Sequence, residues 1–380
     1  MNPIIAFKYH RKNQRKFLFL FLPILLGVVI IYILQMLITS QYQIIYRTYV
    51  EPQKYYSSIA ARTKVIDQEI LNDLFLHKSD YEKVMPWVSH YTYIDTVINN
   101  RVGSKVYTIK QEDMDWLIKK LNLRIKEGRL PKAGSNEIIL HSVVAKNKKL
   151  RIGDSIGGSI QKNEALEGEK VIVGLLEGES VVSFDSLENW MNRNQVLSDD
   201  YSTGTLIIPL EEKKEDVNYF INHIDNQGLD IRTYDSVLLQ NEIDRKGINT
   251  VLTLINIMLV VIVTICTGFI SYINMLQRRS EFGILNAIGY STNQLINRSF
   301  NEIFWLNMAG FLLGVLVSVF VGFLLNLFVY TPKRIPLMLV KTDYLIETAC
   351  IPLFACIFAL LSLWKIIKIL DPVEVIEGMH

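Results

Sequence analysis

Long apolar runs alternate with one extended stretch of mixed polarity, and that alternation lays out the chain. Four runs have the length of a membrane crossing: Phe17–Ile38, Val251–Leu276, Ile303–Val329 and Tyr344–Ile367. The first carries no charged residue, and as a helix it extends about 33 Å against a hydrocarbon core of roughly 30 Å. A cleavable leader would have a shorter apolar stretch closing on small residues. This one closes on Met36-Leu37-Ile38-Thr39, which predicts a retained anchor.

Between the first two runs the periodicity switches repeatedly between two and 3.6. Lys105–Ile109 reads as a strand, and Met114, Leu117, Ile118 and Leu121 share one face of a following helix. Glu137–Leu140 is an apolar strand, after which Ser142 is placed to cap a short helix reaching Leu150. Gly153-Asp154 signals a turn, Val171–Leu176 a buried strand and Thr205–Pro209 another. Val217, Phe220, Ile221 and Ile224 mark a helix stopped by Gly228, and Leu229, Ile231 and Thr233 alternate along a last strand. Tyr42, Ile45 and Tyr49 continue the helical spacing of the first run until Pro52, and Val237–Ile248 has helical composition; both read as stalks. The expected fold is therefore a membrane protein with four transmembrane α-helices plus an α+β extracytoplasmic domain between helices 1 and 2.

Basic residues give the expected orientation, since Lys and Arg near span ends face the cytoplasm. Lys8, Arg11, Lys12, Arg15 and Lys16 precede the first span, Arg278, Arg279 and Arg298 lie between the second and third, and Lys365 and Lys368 close the fourth. This places both termini in the cytoplasm of a multi-pass membrane protein, and the abundance of Ile, Lys and Asn points to an AT-rich bacterial genome and so to a bacterial cell membrane. Lys333, Arg334 and Lys341 disagree, because four spans put their short loop outside. The expected segments are 1–16 (cytoplasmic), 17–38 (first span), 39–248 (outer domain with stalks), 249–276 (second span), 277–302 (cytoplasmic), 303–329 (third span), 330–343 (outer loop), 344–368 (fourth span) and 369–380 (cytoplasmic tail).

Composition narrows the function. A net charge of +2 over 380 residues gives no electrostatic case for nucleic acid. Cys266, Cys350 and Cys356 all fall in spans, so no disulfide framework staples the outer domain. His10, His77, His90, His141, His223 and His380 show no metal-ligand spacing, and neither a phosphate-binding Gly-x-x-x-x-Gly-Lys-Ser/Thr loop nor a Gly-x-Ser-x-Gly elbow occurs. Acidic pairs such as Asp199-Asp200 and Glu211-Glu212 read as solvated faces. No ionisable side chain lies near the middle of a span, which argues against an ion or proton pathway. The third span instead repeats a small residue every fourth position, at Gly310, Gly314, Ser318 and Gly322, a spacing that admits a close helix of this chain or of a second copy.

The segment joining the second and third spans, Arg278-Arg279-Ser280-Glu281-Phe282-Gly283-Ile284-Leu285-Asn286-Ala287-Ile288-Gly289, places Phe282, Leu285 and Ile288 on one side of a short amphipathic turn. Ser291 and Gln294 beyond it have capping-box spacing. The pattern Arg-Arg-x-Glu-x-Gly-Ile-Leu-x-Ala-Ile-Gly resembles the cytoplasmic signature of the MacB/FtsX family of ABC transporter permeases. Glu127-Gly128-Arg129-Leu130-Pro131, Asn136-Glu137-Ile138, Ala145 and Ile152-Gly153-Asp154 resemble the outer domain of the MacB-like members, and Asp371–Ile376 resembles the family's ending. The resemblance implies a non-catalytic subunit that binds no cofactor. ATP and Mg would be held by a separate cytoplasmic ABC ATPase, and a second permease, identical or a sister subunit, would complete the assembly. Residues 277–292 would couple to the ATPase, with Phe282, Leu285 and Ile288 as apolar anchors and Arg278, Arg279 and Glu281 setting register. Gly283, Ala287 and Gly289 would allow close approach and a sharp stop. The outer domain would meet a peptide, toxin, lipoprotein or adaptor during export or extraction, or, in an FtsX-like relay, a cell-wall hydrolase.

Overall fold

A computed structural model describes residues 14–62, 65–97, 101–161, 164–195, 201–224 and 228–369, with the side chains of 14–20 and 366–369 left aside. Most of the N-terminal basic cluster, Asp199-Asp200 and the 371–376 ending lie outside the described residues. The chain forms two compact units, one of residues 1–39, 248–326 and 337–380, the other of residues 40–247 and 327–336.

Among the described residues, four helices are long and apolar enough to cross a membrane. Helix α1 (Gln14–Ile45) runs on through a π turn at Tyr46–Val50 and one further turn at Glu51–Gln53. It ends at Gln53, one residue past Pro52, so the stop falls where the sequence predicts it.

The second unit is a mixed α/β domain with two sheets. Strands β1 (Ser57–Ala61), β2 (Tyr81–Pro86), β10 (Gly204–Pro209) and β11 (Leu229–Arg232) make an antiparallel sheet in the order β11-β1-β10-β2. The larger sheet runs β3-β4-β9-β6-β8-β5, with β7 added on β8. Its strands are β3 (Val88–Asp95), β4 (Arg101–Ile109), β5 (Arg124–Gly128), β6 (Glu137–His141), β7 (Ser155–Ile156), β8 (Lys170–Glu177) and β9 (Ser183–Ser186). β4 with β9 and β6 with β8 pair in parallel and the other neighbours are antiparallel. Helices α2 (Gln68–Leu76), α3 (Gln111–Lys120), α4 (Ser142–Asn147), α5 (Leu187–Asn194) and α6 (Lys214–Asn222) accompany them.

Apolar periodicity places the core. Met114, Leu117 and Ile118 of α3 and Leu121 at its C-cap are all buried, joining Tyr56, Trp87, Tyr107 and Phe184 in one cluster. Val217 and Ile221 of α6 pack with Ile59, Leu71, Leu74 and Ile207 beside the smaller sheet. Two local expectations are corrected. The cap of α4 is His141, whose Nδ1 accepts the Val143 N–H, and that helix ends at Asn147 rather than Leu150. Helix α6 ends at Asn222, before Gly228, which instead takes φ +84° at the entry to β11. Lys170 and Asp185, fully buried on β8 and β9, form an ion pair; burial raises the Asp185 carboxyl and the Lys170 charge partly opposes it.

Helix α7 (Tyr234–Gln277) is one uninterrupted helix from the end of β11 through the second apolar run. It is followed by α8 (Arg279–Ala287), α9 (Thr292–Leu325) and α10 (Thr342–Ile369). Within the second unit, Tyr42 Oη donates to the Arg245 carbonyl at 3.1 Å, and the Arg245 guanidinium lies over the Tyr42 ring, so the two predicted stalks meet.

Candidate coupling site

Helix α8 owes its form to a signal at each end of its connection. Arg278 breaks the register after α7, and Gly289 at φ +106° ends the turn after Ala287, a left-handed backbone that glycine adopts without strain. The chain restarts with the predicted capping box: the Ser291 hydroxyl accepts the Gln294 N–H, and the Gln294 side chain accepts the Ser291 N–H at 2.9 Å.

The basic and acidic residues of this region form one network. Arg278, only 4% exposed, donates from Nε to Glu281 at 2.8 Å and from Nη1 to Glu302 of α9 at 2.7 Å. Arg298 stands 3.8 Å from Glu281 and 3.9 Å from Glu302. Burial works against the Arg278 charge, yet the two carboxylates outweigh it and hold its pKa above the ordinary value. Arg278 in turn lowers the Glu281 pKa, chiefly through their hydrogen bond. A planar guanidinium can address two carboxylates at once, which a lysine ammonium cannot do with the same geometry. Glu302 was missed by pattern reading. It lies just before an apolar run, where nothing in the spacing distinguishes a pairing carboxylate from a solvated one.

The apolar residues of α8 divide in a way the helical spacing did not predict. Phe282 is buried against Met275, Leu295, Ile303, Ala359 and Leu363, with Leu285 packed on the same cluster. Gly283 is buried as well. The exposed side of the segment carries Arg279, Ile284, Ala287, Ile288 and Gly289, with Ile288 70% exposed. Two apolar faces occur on one short helix, and the stronger one serves this chain's own bundle.

The small-residue stripe of α9 also faces inward. A Cβ on Gly310 would meet Ile24 at 3.1 Å, one on Gly314 would meet Val28 at 2.8 Å, and one on Gly322 would meet Met36 at 2.6 Å. The buried Ser318 returns its hydroxyl to the Gly314 carbonyl at 2.7 Å. The stripe is thus the seat of α1 in the same chain. Elsewhere in this unit, α7 and α10 border a groove of about 490 Å³ lined by Ile257, Val260, Val261, Phe354 and Glu347. Glu347 accepts from Asn256 at 2.8 Å and from Gln35.

Known proteins can be set beside this geometry. Residues 253–371 match the FtsX-like permease C-terminal family. A hemin transport system permease protein, HrtB, of Staphylococcus haemolyticus is 26% identical over 285 residues, covering 74% of this chain and 75% of that one. Its Staphylococcus epidermidis namesake is 27% identical over 254 residues, or 67% of each chain. Among solved structures, the periplasmic region of MacB from Actinobacillus actinomycetemcomitans aligns with 52% of this chain and 95% of its own at 13% identity and TM-score 0.31. The extracellular domain of the noncanonic ABC-type transporter YknZ aligns with 47% of this chain and all of its own at 12% identity and TM-score 0.29.

Residues 253–371 thus match an FtsX-like permease domain, and most of the chain is similar to permease proteins of hemin transport systems. Its four membrane-length apolar helices suit a multi-pass membrane protein.

Proposed function

We propose that this permease transmits ATP-driven motion from a separate cytoplasmic ATPase, through residues 277–292, to its α/β domain on the opposite side of the membrane. ATP and Mg belong to that ATPase, and a second permease, identical or a sister, stands alongside. The observation that carries this reading is the Arg278–Glu281–Glu302 network, which ties α8 to the base of α9 by charged hydrogen bonds in a buried setting. A force applied to α8 is passed to α9 rather than absorbed by a slack loop. Helix α7 leads away in the other direction without a break, about 66 Å of helix at the usual rise. Arg279, Ile284, Ala287 and Ile288 form the face offered to the ATPase, while Arg278 and Phe282 fix the helix that presents it.

The cargo is a hydrophobic molecule bearing charge: a peptide, toxin or lipoprotein as the sequence implies, or hemin as the relatives' names bring in. The groove of α7 and α10, apolar with Glu347 on its wall, supports that chemistry. The test is Ile284→Asp with Ile288→Asp in the purified complex with its ATPase. Stimulation of ATP hydrolysis by the permease should fall at least tenfold while membrane insertion and thermal unfolding stay as in the parent. Unchanged stimulation would remove the coupling role from this face.

A further inference from the structure

A second concave feature lies wholly within the α/β unit. It is a cleft of about 860 Å³ whose walls include Lys146, Lys149, Arg151 and Arg334, with Glu127 as the single carboxylate and Leu150, Ile152 and Leu175 as apolar floor. Many surface cations elsewhere on this domain are answered by acids: Lys119 by Asp115, Lys120 by Glu82, Lys126 by Glu177, Lys148 by Glu164. The four cations of the cleft have no such partner among the described residues. Nearby Asp154 turns its carboxylate to the Arg151 backbone N–H at 2.7 Å.

Two of the four cations stand where the backbone favours a different residue. After α4, the Lys149 N–H bonds to the Lys146 carbonyl and the Leu150 N–H to the Ala145 carbonyl, the helix-end motif that calls for glycine at its left-handed position. Lys149 occupies that position at φ +59°. The turn at Thr331–Lys333 closes the same way, with the Ile335 N–H bonded to the Tyr330 carbonyl and Arg334 at φ +56°. A left-handed backbone is unfavourable for an L-residue. A cation at a helix end recovers only part of that cost, which explains one such residue more readily than two on one cleft.

Chain position indicates the anion. Arg334 follows the apolar run Ile303–Val329 by little more than one helical turn. Its turn is anchored to the domain by the Asn147 side chain on the Lys333 carbonyl at 2.9 Å and by Lys333 Nζ on the Thr96 carbonyl at 2.7 Å. Cations are therefore held near the end of a membrane-length helix, beside an apolar floor. We propose that this cleft binds the phosphate headgroup of an anionic lipid. The four cations supply charge and hydrogen-bond donors, and the apolar floor takes the adjoining glycerol and upper acyl carbons.

The test is native mass spectrometry of the full-length protein in detergent, titrated with phosphatidylglycerol, phosphatidylcholine, or inorganic phosphate. The parent should bind phosphatidylglycerol at least tenfold more tightly than phosphatidylcholine and show no comparable affinity for inorganic phosphate. Lys146→Gln, Lys149→Asn, Arg151→Gln and Arg334→Asn together should abolish the preference, with asparagine retained where the backbone is left-handed. The milder pair Lys149→Gly and Arg334→Gly should unfold no lower than the parent and still lose most of the preference, and Lys119→Gln with Lys120→Gln should keep it. Equal binding of the two lipids by the parent, an unchanged preference in the glycine pair, or inorganic phosphate bound as tightly as the lipid would each overturn the proposal.

Discussion

Lys105 is the residue whose surroundings differ most from what its side chain would meet in water. It lies fully buried on β4, and its ammonium finds only the neutral Gln53 Oε1 at 3.2 Å and the Tyr56 hydroxyl at 3.3 Å. Burial, reinforced by Arg232 and partly opposed by Asp230, brings its pKa down to about 7. An unfolded chain holds that proton until about pH 10.4. Between pH 7 and 10 the unfolded state therefore binds more protons than the folded one, and stability rises with pH across that window. Tyr56 and Tyr107 have raised pKa values, chiefly from burial, and pull the other way only above about pH 10. Scanning fluorimetry of the full-length protein from pH 6 to 9.5 should show the parent gaining on Lys105→Met as pH rises, with the variant more stable at pH 6. Parallel pH curves would show that the ammonium is solvated. None of this was legible in Lys105–Ile109, where alternation announces a strand but cannot say that both of its faces are covered. The same limit hid the orientation of Phe282: a residue on an apolar stripe declares burial, and only packing tells against which partner.

At the scale of elements, long and regular features were readable and short polar ones were not. The apolar runs, α3, β8, β10 and the Ser291–Gln294 capping box all rest on periodicity or fixed spacing, which survive in a single sequence. Strand β5 is exposed at every position, and β9 is Ser-Phe-Asp-Ser yet wholly buried, so neither carries a pattern of its own. Their place comes from neighbours far along the chain. The α9 stripe receives α1 of the same chain, the first of the two readings that spacing leaves equal. Gly314→Ala should therefore destabilise the α1–α9 pair by about 1–3 kcal/mol, because the added methyl falls within 2.9 Å of Val28. Val28→Ala combined with it should recover most of the loss in thermal unfolding of the detergent-solubilised protein. If the stripe instead received a second copy, Val28→Ala would fail to rescue and the single variant would shift the oligomer distribution.

For the whole molecule, the question is which side of the membrane each half occupies. Basic residues flanking the first, second and fourth spans set the α/β domain outside, but Lys333, Arg334 and Lys341 in a twelve-residue stretch oppose that rule. Their positions in the fold weaken the objection. Lys333 is committed to the Thr96 carbonyl, and its own carbonyl accepts from Asn147, so the turn is bonded to the α/β domain and must share its side. Lys341 pairs with Asp343 at the start of α10. The rule counts basic residues that can hold a loop in the cytoplasm; here Lys333 is bonded into the domain, and the turn goes where the domain goes. We propose the one orientation that accommodates these segments, with the domain and the 331–342 turn outside and α8 inside. In intact cells of a cysteine-free parent, a membrane-impermeant maleimide should label Lys213→Cys and Lys341→Cys at once, and should label Ile288→Cys only after permeabilisation. Labelling of Ile288→Cys in intact cells would invert the molecule and detach α8 from any cytoplasmic ATPase. Labelling of Lys341→Cys only after permeabilisation, with Lys213→Cys labelled from outside, would break the bond between turn and domain on which this assignment rests.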